Sequence, residues 1–285
     1  MTIKTLPDVR DAFGKQGYFF FGYLMKELGF DPKEYGRIGQ IARHTMKYLA
    51  DDGKNGVHAH QRLMEIEHEW YDSLRNGCDL DPAYSVYGYD DYLAEVWCCW
   101  EFYARNYVKN IFEHRLVPPL GVQGLMGDGA IVDVGNGMGL STAYFKQSFP
   151  KRRVIGTNLL DTTQWRMNTM LSEAYGYELV DEATMLKAGG IGGDVAMVFA
   201  SEYFEHFQKP LDHLEEMMVL QPNVWITANA FKADAIGHFD VYYVDEEPRE
   251  AKEMSRLFSA AMDSHGYRKQ KTKLWNNRPA VWVKK

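Results

Sequence analysis

Two kinds of hydrophobic periodicity divide the chain. In the first part, apolar residues recur three and four positions apart, which is typical of amphipathic helices, in GYFFFGYLMKELGF, IGQIARHTMKYLA and HQRLMEIEHEWYDSL. In the second part, short runs of β-branched and aromatic residues alternate with amphipathic stretches, which indicates parallel strands joined by helices. We therefore predict a helical N-terminal region followed by an α/β domain.

The boundary and the strands of the α/β domain follow from turn-forming residues and apolar runs. LVPPLGVQGLMGDG is rich in Pro and Gly, so we predict a helical domain over 1–118 and an α/β domain over 119–285. The C-terminal runs predict two paired strands that turn at Asn276 and Asn277. The predicted strands are AIVDVG, RRVIGTNL, GYELVDEA, DVAMVFAS, NVWITANAF, GYRKQKTKLWNN and PAVWVKK.

Composition narrows the class of protein. The 285 residues are 46% hydrophobic and 25% charged, which is typical of a soluble globular protein with a large core. The net charge of −7 argues against a surface that wraps nucleic-acid phosphates unaided. The three cysteines fit neither a disulfide framework nor a zinc site. Because the sequence has neither a signal-peptide pattern nor about 18 consecutive apolar residues, we expect a cytoplasmic protein without a membrane segment.

A glycine-rich turn carries the strongest chemical information. Asp133, Gly135, Asn136, Gly137 and Gly139 follow an apolar strand directly and precede an amphipathic stretch. Glycines at alternate positions let the backbone turn sharply and approach a ligand closely. The spacing does not match the GxGxxG turn of dinucleotide-binding proteins, which disfavours that ligand. A carboxylate in the turn is a poor neighbour for a pyrophosphate and a good one for a cationic amino-acid group.

These segments resemble a known family. VDVGNGMG followed by VIGTNL resembles the first two motifs of class I S-adenosylmethionine-dependent methyltransferases, and GGDVAMVFASEYFEHFQKPLDHLEEM resembles the fourth strand and following helix of the small-molecule branch. NVWITANAF resembles the fifth strand, and the resemblance covers roughly residues 127–285. It implies a Rossmann-like, doubly wound, mostly parallel sheet with an antiparallel C-terminal strand, and S-adenosyl-L-methionine as the cofactor.

The resemblance assigns candidate cofactor residues. The glycine-rich turn would shape the site for the methionine end, and Ser201 follows the fourth strand at the open edge of the sheet. Asn158 stands where the family has an acid that binds both ribose hydroxyls, and Glu182, or alternatively Asp181, would lie beside the adenine amino group. The predicted cofactor-binding residues are Asp133, Gly135, Asn136, Gly137, Gly139, Asn158, Glu182 and Ser201.

Three residues are candidates for acceptor chemistry. His206 is a candidate general base, or alternatively a residue that only anchors its helix. Glu202 is an alternative base four positions before His206, whereas Glu205 fits a solvated surface charge better. His238, in GHFDVYYVD, is a candidate for the acceptor pocket, or alternatively an ordinary loop residue.

We predict no metal site. Glu65 and His68 have the spacing of a di-iron helix, but no second motif accompanies them. His58 and His60 are two residues apart, so they would point to different sides of a helix.

The sequence therefore predicts a methyltransferase that acts on an unidentified acceptor, a small molecule being favoured. The helical domain would cover the site and select the acceptor. One alternative is a methyltransferase that acts on nucleic acid or protein. A second is a Rossmann-like ligand-binding or interaction protein without catalysis, which Asn158 favours. The oligomeric state is left open.

Overall fold

The computed structural model describes residues 61–77, 84–88, 121–160, 162–233, 235–270 and 279–285. The α-helices in these ranges are α1 (Gln61–Arg75), α2 (Gly121–Met126), α3 (Leu140–Ser148), α4 (Thr163–Tyr175), α5 (Glu182–Lys187), α6 (Pro210–Met217) and α7 (Ala251–Ser264). The strands are β1 (Ala130–Asp133), β2 (Val154–Asn158), β3 (Glu178–Asp181), β4 (Val195–Ser201), β5 (Val224–Ala228), β6 (Val241–Val244), β7 (Glu247–Glu250), β8 (Tyr267–Lys269) and β9 (Ala280–Lys284). Short 3-10 turns cover Tyr84–Gly88, Phe204–His206 and Met218–Leu220.

The sheet has seven strands in the order β3-β2-β1-β4-β5-β9-β8. Strands β1 to β5 pair in parallel, whereas β9 pairs antiparallel with both β5 and β8. From β1 the chain proceeds to β2 and β3 in one direction and later to β4 and β5 in the other. The predicted doubly wound, mostly parallel sheet with an antiparallel C-terminal strand is confirmed.

The central strands show why these sequences form this sheet. Every residue of β1, β2 and β5 is buried, and β4 is buried up to its last residue. Parallel strands that are covered on both faces have such continuous apolar runs instead of alternating ones. The predicted strands AIVDVG, RRVIGTNL, DVAMVFAS and NVWITANAF therefore correspond to the buried centre of the sheet.

The chain forms two compact units, each described here by itself. The described part of the first unit consists of residues 61–77, 84–88, 137–140 and 162–176. In it, the Thr162 hydroxyl accepts a hydrogen bond from the backbone N–H of Trp165 and begins α4, and Gly176 ends that helix in the left-handed conformation. Ile66 and Trp70 of α1 are fully buried, which agrees with the predicted amphipathic helix there.

The second unit contains the sheet and the helix α7. Its apolar residues Met254, Phe258 and Met262 recur every four positions along α7 and are all buried. The helical segments predicted before residue 61, the segment LAEVWCCWEFYARNYVKNIFE and the turn at Asn276 and Asn277 lie outside the described residues. The predicted domain boundary near residue 118 stays a prediction.

The structure adds two local elements to those that the sequence predicted. His238 lies before β6, and residues Val241–Glu250 form the antiparallel pair β6–β7. The Pro- and Gly-rich boundary segment contains the short helix α2, because Val122 and Met126 bury their side chains four positions apart. Within the part of the chain that the structure describes, none of the helices has the length and apolar character that a membrane crossing requires.

Candidate functional site

The candidate site lies where the sheet reverses its connection order. Strands β1 and β4 are neighbours, but the chain leaves β1 toward β2 and leaves β4 toward β5. Ligands of open α/β sheets bind at the carboxyl ends of the strands at such a switch point. The glycine-rich turn follows β1, and at the carboxyl end of β4 Ser201 is the last strand residue and Glu202 comes directly after it.

Asp133 is the last residue of β1 and is almost completely buried. The hydroxyls of Ser141 and Thr142, at the start of α3, both donate to its Oδ2 at 2.6 Å. Burial raises the pKa of Asp133 from 3.8 to about 7, although the two hydroxyl donors act in the opposite direction. The carboxyl group is therefore partly protonated at neutral pH, and a cationic ligand would favour its charged form.

Asn136 connects the turn to strand β2. Its backbone N–H donates to the Thr157 carbonyl at 2.9 Å, and its Nδ2 donates to the Thr142 hydroxyl at 2.7 Å. A Cβ on Gly156 would lie 2.0 Å from Asn136 Nδ2, so only glycine leaves room for this amide. Asn136 thus holds the shape of the turn through bonds within the protein.

Gly135 and Gly137 differ in their surroundings. Both have a positive φ, of 56° and 54°, which glycine adopts without strain. A Cβ on Gly135 would lie 2.2 Å from Cδ2 of Tyr203, because the tyrosine ring packs directly on this glycine. Among the described residues, the atom nearest to a Cβ on Gly137 would be Gln164 Oε1 at 3.9 Å. The described residues therefore crowd Gly135 but leave space beside Gly137.

The remainder of the turn belongs to the first unit. The Gly137 carbonyl accepts a hydrogen bond from Asn168 Nδ2 at 3.1 Å, and the Asn168 side chain is fully buried. Gly139 has a φ of 85° directly before α3. The Asn168 hydrogen bond holds the Gly137 backbone beside α4 within the first unit.

Glu182, at the start of α5, is the centre of a buried network. Its Oε2 accepts from the Thr157 hydroxyl at 2.7 Å, and its Oε1 accepts from the Tyr203 hydroxyl at 2.5 Å. The Tyr203 oxygen also lies 2.6 Å from Nε2 of His213. Because the tyrosine donates its one proton to Glu182, the histidine must donate to the tyrosine. Hydrogen bonds from His213, Tyr203 and Thr157 outweigh the burial of Glu182 and lower its pKa.

Asn158 and Ser201 differ in whether their side chains have a hydrogen-bond partner within the protein. Asn158 is buried at the end of β2, and its Oδ1 accepts from the backbone N–H of Leu159 at 2.8 Å. Leu159 and Leu160, which follow it, are among the exposed large apolar residues of the described chain. The buried Ser201 Oγ has no hydrogen-bond partner. Asp181, the alternative to Glu182, instead caps α5 by accepting from the backbone N–H of Thr184.

Glu202 and Glu205 come together after β4. Glu202 has a φ of 49°, an uncommon backbone conformation for a residue with a side chain. Glu205 is fully buried, unlike the solvated surface charge that we expected. Its Oε1 accepts from the backbone N–H of Ala230 at 2.6 Å, whereas its Oε2 has no hydrogen-bond partner. Burial and the nearby Glu202 raise the pKa of Glu205 well above its ordinary value.

The rings of His206 and His238 pack edge to face, with their centroids 5.0 Å apart. Burial, together with His238, lowers the pKa of His206 to about 3, and its ring hydrogen-bonds to the backbone of Gly237 and Glu202. A histidine with this pKa is a weak base. His238 is buried, and its Nδ1 lies 2.7 Å from the Ala233 carbonyl.

Sequence reasoning did not identify Tyr203, His213 and Thr157 as parts of the site. Tyr203 and His213 lie in EYFEHFQKPLDH, where the histidine that attracted attention was His206. Their roles depend on contacts with Gly135 and Glu182, which are distant in sequence. A polar residue type alone gave no indication of these partners.

Comparisons with known proteins agree with the fold. No protein-family model matches the chain, and no curated protein matches it in sequence. A solved structure of PigF with SAH is 14% identical, with a TM-score of 0.50 over 82% of this chain and 73% of that chain. An O-methyltransferase family protein from Burkholderia thailandensis is 12% identical, with a TM-score of 0.46 over 86% of this chain and 71% of that chain.

Magnesium protoporphyrin IX methyltransferase from Synechocystis, with bound SAH, is 11% identical, with a TM-score of 0.42 over 65% of this chain and 83% of that chain. At such low identity the similarity to PigF concerns the fold alone. The chain therefore has the doubly wound, Rossmann-like fold that its sequence pattern predicted.

Proposed function

We propose that this protein is an S-adenosylmethionine-dependent methyltransferase that acts on a small-molecule acceptor. The observation that carries the proposal is the turn after β1: the buried carboxylate Asp133 ends the strand, and Gly135 and Gly137, both at positive φ, follow it along the chain. The fold shared with PigF, whose structure contains SAH, supports the same ligand class. The net charge of −7 favours a small acceptor over a nucleic acid.

The residues of the turn fit the proposed cofactor. Asp133 would bind the cationic amino group, since a buried carboxylate interacts strongly with a nearby positive charge. Gly135, Asn136, Gly137 and Gly139 would give the backbone its close approach to the ligand. The bound cofactor would supply an activated methyl group.

The adenosine end would be held beyond the turn. Glu182 keeps both oxygens in bonds with Thr157 and Tyr203, so any contact with adenine would use its remaining acceptor capacity. Asn158 would contact the ribose through its amide, and Ser201 would contribute its buried hydroxyl. With one amide in place of an acid, we expect weaker cofactor binding than a carboxylate would give.

Acceptor chemistry would occur after β4 and β5, where Glu202 and His238 lie near each other. Positioning and exclusion of water would contribute most of the rate acceleration. His206 would position this segment through its backbone contacts instead of taking a proton.

Calorimetric titration with S-adenosylmethionine and S-adenosylhomocysteine tests the proposal. We expect dissociation constants in the micromolar range, equivalent to about −8 kcal/mol. Because the pKa of Asp133 is about 7, affinity for the cationic ligand should rise between pH 6 and 8 and then level off. Asp133→Asn should remove this pH dependence and weaken binding.

Gly137→Val is the steric variant in the same titration, because its side chain would fill the open space at the turn. Lys252→Gln, an exposed change on α7, is the control and should bind like the unmodified protein. If the folded protein binds neither compound, the methyltransferase proposal fails. The alternative of a Rossmann-like protein without methyl transfer would then be favoured.

A further inference from the structure

Three side chains after β4 and β5 form a cluster apart from the glycine-rich turn. One carboxylate oxygen each of Glu202 and Glu205 and one ring nitrogen of His238 lie within 4.8 Å of one another. We propose that this cluster binds a divalent first-row transition-metal ion, with Mn²⁺ as its representative. The sequence gave no indication of the site, because His238 is far from the two glutamates along the chain.

The buried glutamate points to a cation. Glu205 is completely buried, and one of its oxygens has no hydrogen-bond partner. Buried carboxylate oxygens are normally satisfied by donors or by a metal ion. Glu202 adds a second carboxylate, and like charges at this distance repel each other when both are ionised. A cation between the two carboxylates would bind the unpaired Glu205 oxygen and would also offset the repulsion between the two negative charges.

The histidine is oriented for metal binding. His238 Nδ1 lies 2.7 Å from the Ala233 carbonyl, so Nδ1 carries the proton and Nε2 carries the lone pair of the neutral ring. Metal-binding histidines commonly donate their other ring N–H to a carbonyl, which fixes the tautomer and the ring orientation. His238 is also buried, which limits other orientations of its ring.

The neighbouring backbone is held in place. The Tyr242 hydroxyl donates to the Glu205 carbonyl at 3.1 Å, and the Ala230 N–H donates to Glu205 Oε1 at 2.6 Å. Both Tyr242 and Ala230 are buried, so the position of Glu205 is set by packing on two sides. The ligand atoms are therefore near one another before any ion binds.

The donor set selects the class of ion. Two carboxylates and one imidazole suit Mn²⁺, Fe²⁺, Co²⁺ or Zn²⁺ better than Ca²⁺, which prefers only oxygen ligands. Three protein ligands leave coordination positions open to water or to another molecule. If the proposed methyltransferase function holds, an acceptor oxygen would take an open position, and the ion would lower the pKa of the acceptor hydroxyl.

The first experiment measures metal binding alone. The full-length protein is freed of metal with a chelator and titrated with Mn²⁺, while the free-ion signal is followed by electron paramagnetic resonance. We expect one equivalent to bind, with at least tenfold weaker binding in Glu205→Gln and in His238→Gln. Absence of saturable Mn²⁺ binding by the folded protein would overturn the proposal.

Matched controls come from a histidine–glutamate pair elsewhere, in which His265 is half-buried and Glu215 is exposed. His265 Nε2 lies 2.9 Å from Glu215 Oε2, but the structure shows no third ligand beside this pair in the described residues. Glu215→Gln and His265→Gln should keep the Mn²⁺ affinity unchanged. Equal losses in the control and cluster variants would mean that the ion binds elsewhere, and the site would be rejected.

A spectroscopic measurement on the unmodified protein does not depend on the folding of any variant. Co²⁺ bound by mixed nitrogen and oxygen ligands should give visible absorption bands, and acetohydroxamate should shift them if coordination positions are open. Co²⁺ bands that resemble those of the hydrated ion would overturn the proposal. Because neither experiment contains S-adenosylmethionine, failure of the metal site leaves the cofactor titration as a separate test.

Discussion

The polar groups after β1 and those after β4 lie at the same edge of one sheet, but they are satisfied in different ways. Asp133 and Asn136 are bonded to Thr142 and other neighbours within the protein. After β4, a Glu205 oxygen and the Ser201 hydroxyl are buried without a hydrogen-bond partner. The first region is thus held in shape by hydrogen bonds within the protein, whereas the second contains buried polar atoms that have no such partner.

The largest effect that tests this contrast is the pH dependence contributed by Asp133. Its pKa is 3.8 in the unfolded chain and about 7 in the folded protein. The stability it contributes is therefore fully present below pH 3.8 and is lost as pH rises through 7. A difference of one in pKa corresponds to about 1.4 kcal/mol, so the loss is about 4 kcal/mol.

Urea denaturation of the unmodified protein and Asp133→Asn between pH 4 and 8 measures this effect. The difference in free energy of unfolding between the two proteins should shift in favour of the variant as pH rises. Glu205 also has a raised pKa and contributes with the same sign, so only the difference between the two profiles isolates Asp133. If the unfolding free energies of the two proteins instead change in parallel with pH, the folded turn stabilises the Asp133 carboxylate and its pKa is not raised.

Gly135→Ala tests how tightly the turn after β1 is packed. The new Cβ would lie 2.2 Å from the Tyr203 ring at a positive φ, so the ring must move. We expect a loss of about 3 kcal/mol in the free energy of unfolding, combining overpacking and backbone strain. Gly137→Ala has similar strain but open space, and should cost about 1 kcal/mol. Equal losses in thermal or urea denaturation would contradict the packing difference.

Two buried glutamates provide a comparison between the bonded network and the cluster after β4. Glu182→Gln replaces a carboxylate that accepts from Thr157 and Tyr203, and should cost about 2 kcal/mol of stability. Glu205→Gln replaces a carboxyl group whose pKa is raised by burial and by Glu202, and should change stability by less than about 1 kcal/mol without metal. Urea denaturation in chelator measures both, and a larger loss in Glu205→Gln would reverse the contrast.

Tyr203→Phe should have a smaller effect than Glu182→Gln. It removes the hydroxyl between Glu182 and His213 but keeps the ring that packs on Gly135. We expect a loss of about 1 kcal/mol in the free energy of unfolding, as for one hydrogen bond. Tyr203→Leu, which also removes the aromatic ring, should be less stable than Tyr203→Phe. Equal stability of the two variants would show that the ring contact with Gly135 contributes nothing.

The fold was predictable because its determinants are local. The buried runs of β1, β2, β4 and β5 and the glycines after β1 are visible in short windows of sequence. The pair β6–β7 was not predictable from the sequence. Strand β7 is mostly exposed and contains Pro248 and charged residues, which do not indicate a strand.

The site was predictable only in part. The residues of the glycine-rich turn share one short segment that directly follows β1, so a short window of sequence identifies them. The contact of Tyr203 with Gly135 and the meeting of Glu205 with His238 join residues that are distant along the chain. No local pattern encodes such pairs, so both Tyr203 and the metal-binding cluster became visible only in three dimensions.

The position of Tyr203 in the chain couples the two regions. It lies between Glu202 and Glu205, while its ring rests on Gly135 of the turn. An ion held by the two glutamates would restrict the tyrosine, and a ligand that moves the tyrosine would disturb the glutamates. Thermodynamic linkage then makes any influence reciprocal: if the ion strengthens cofactor binding by some factor, the cofactor strengthens ion binding by the same factor.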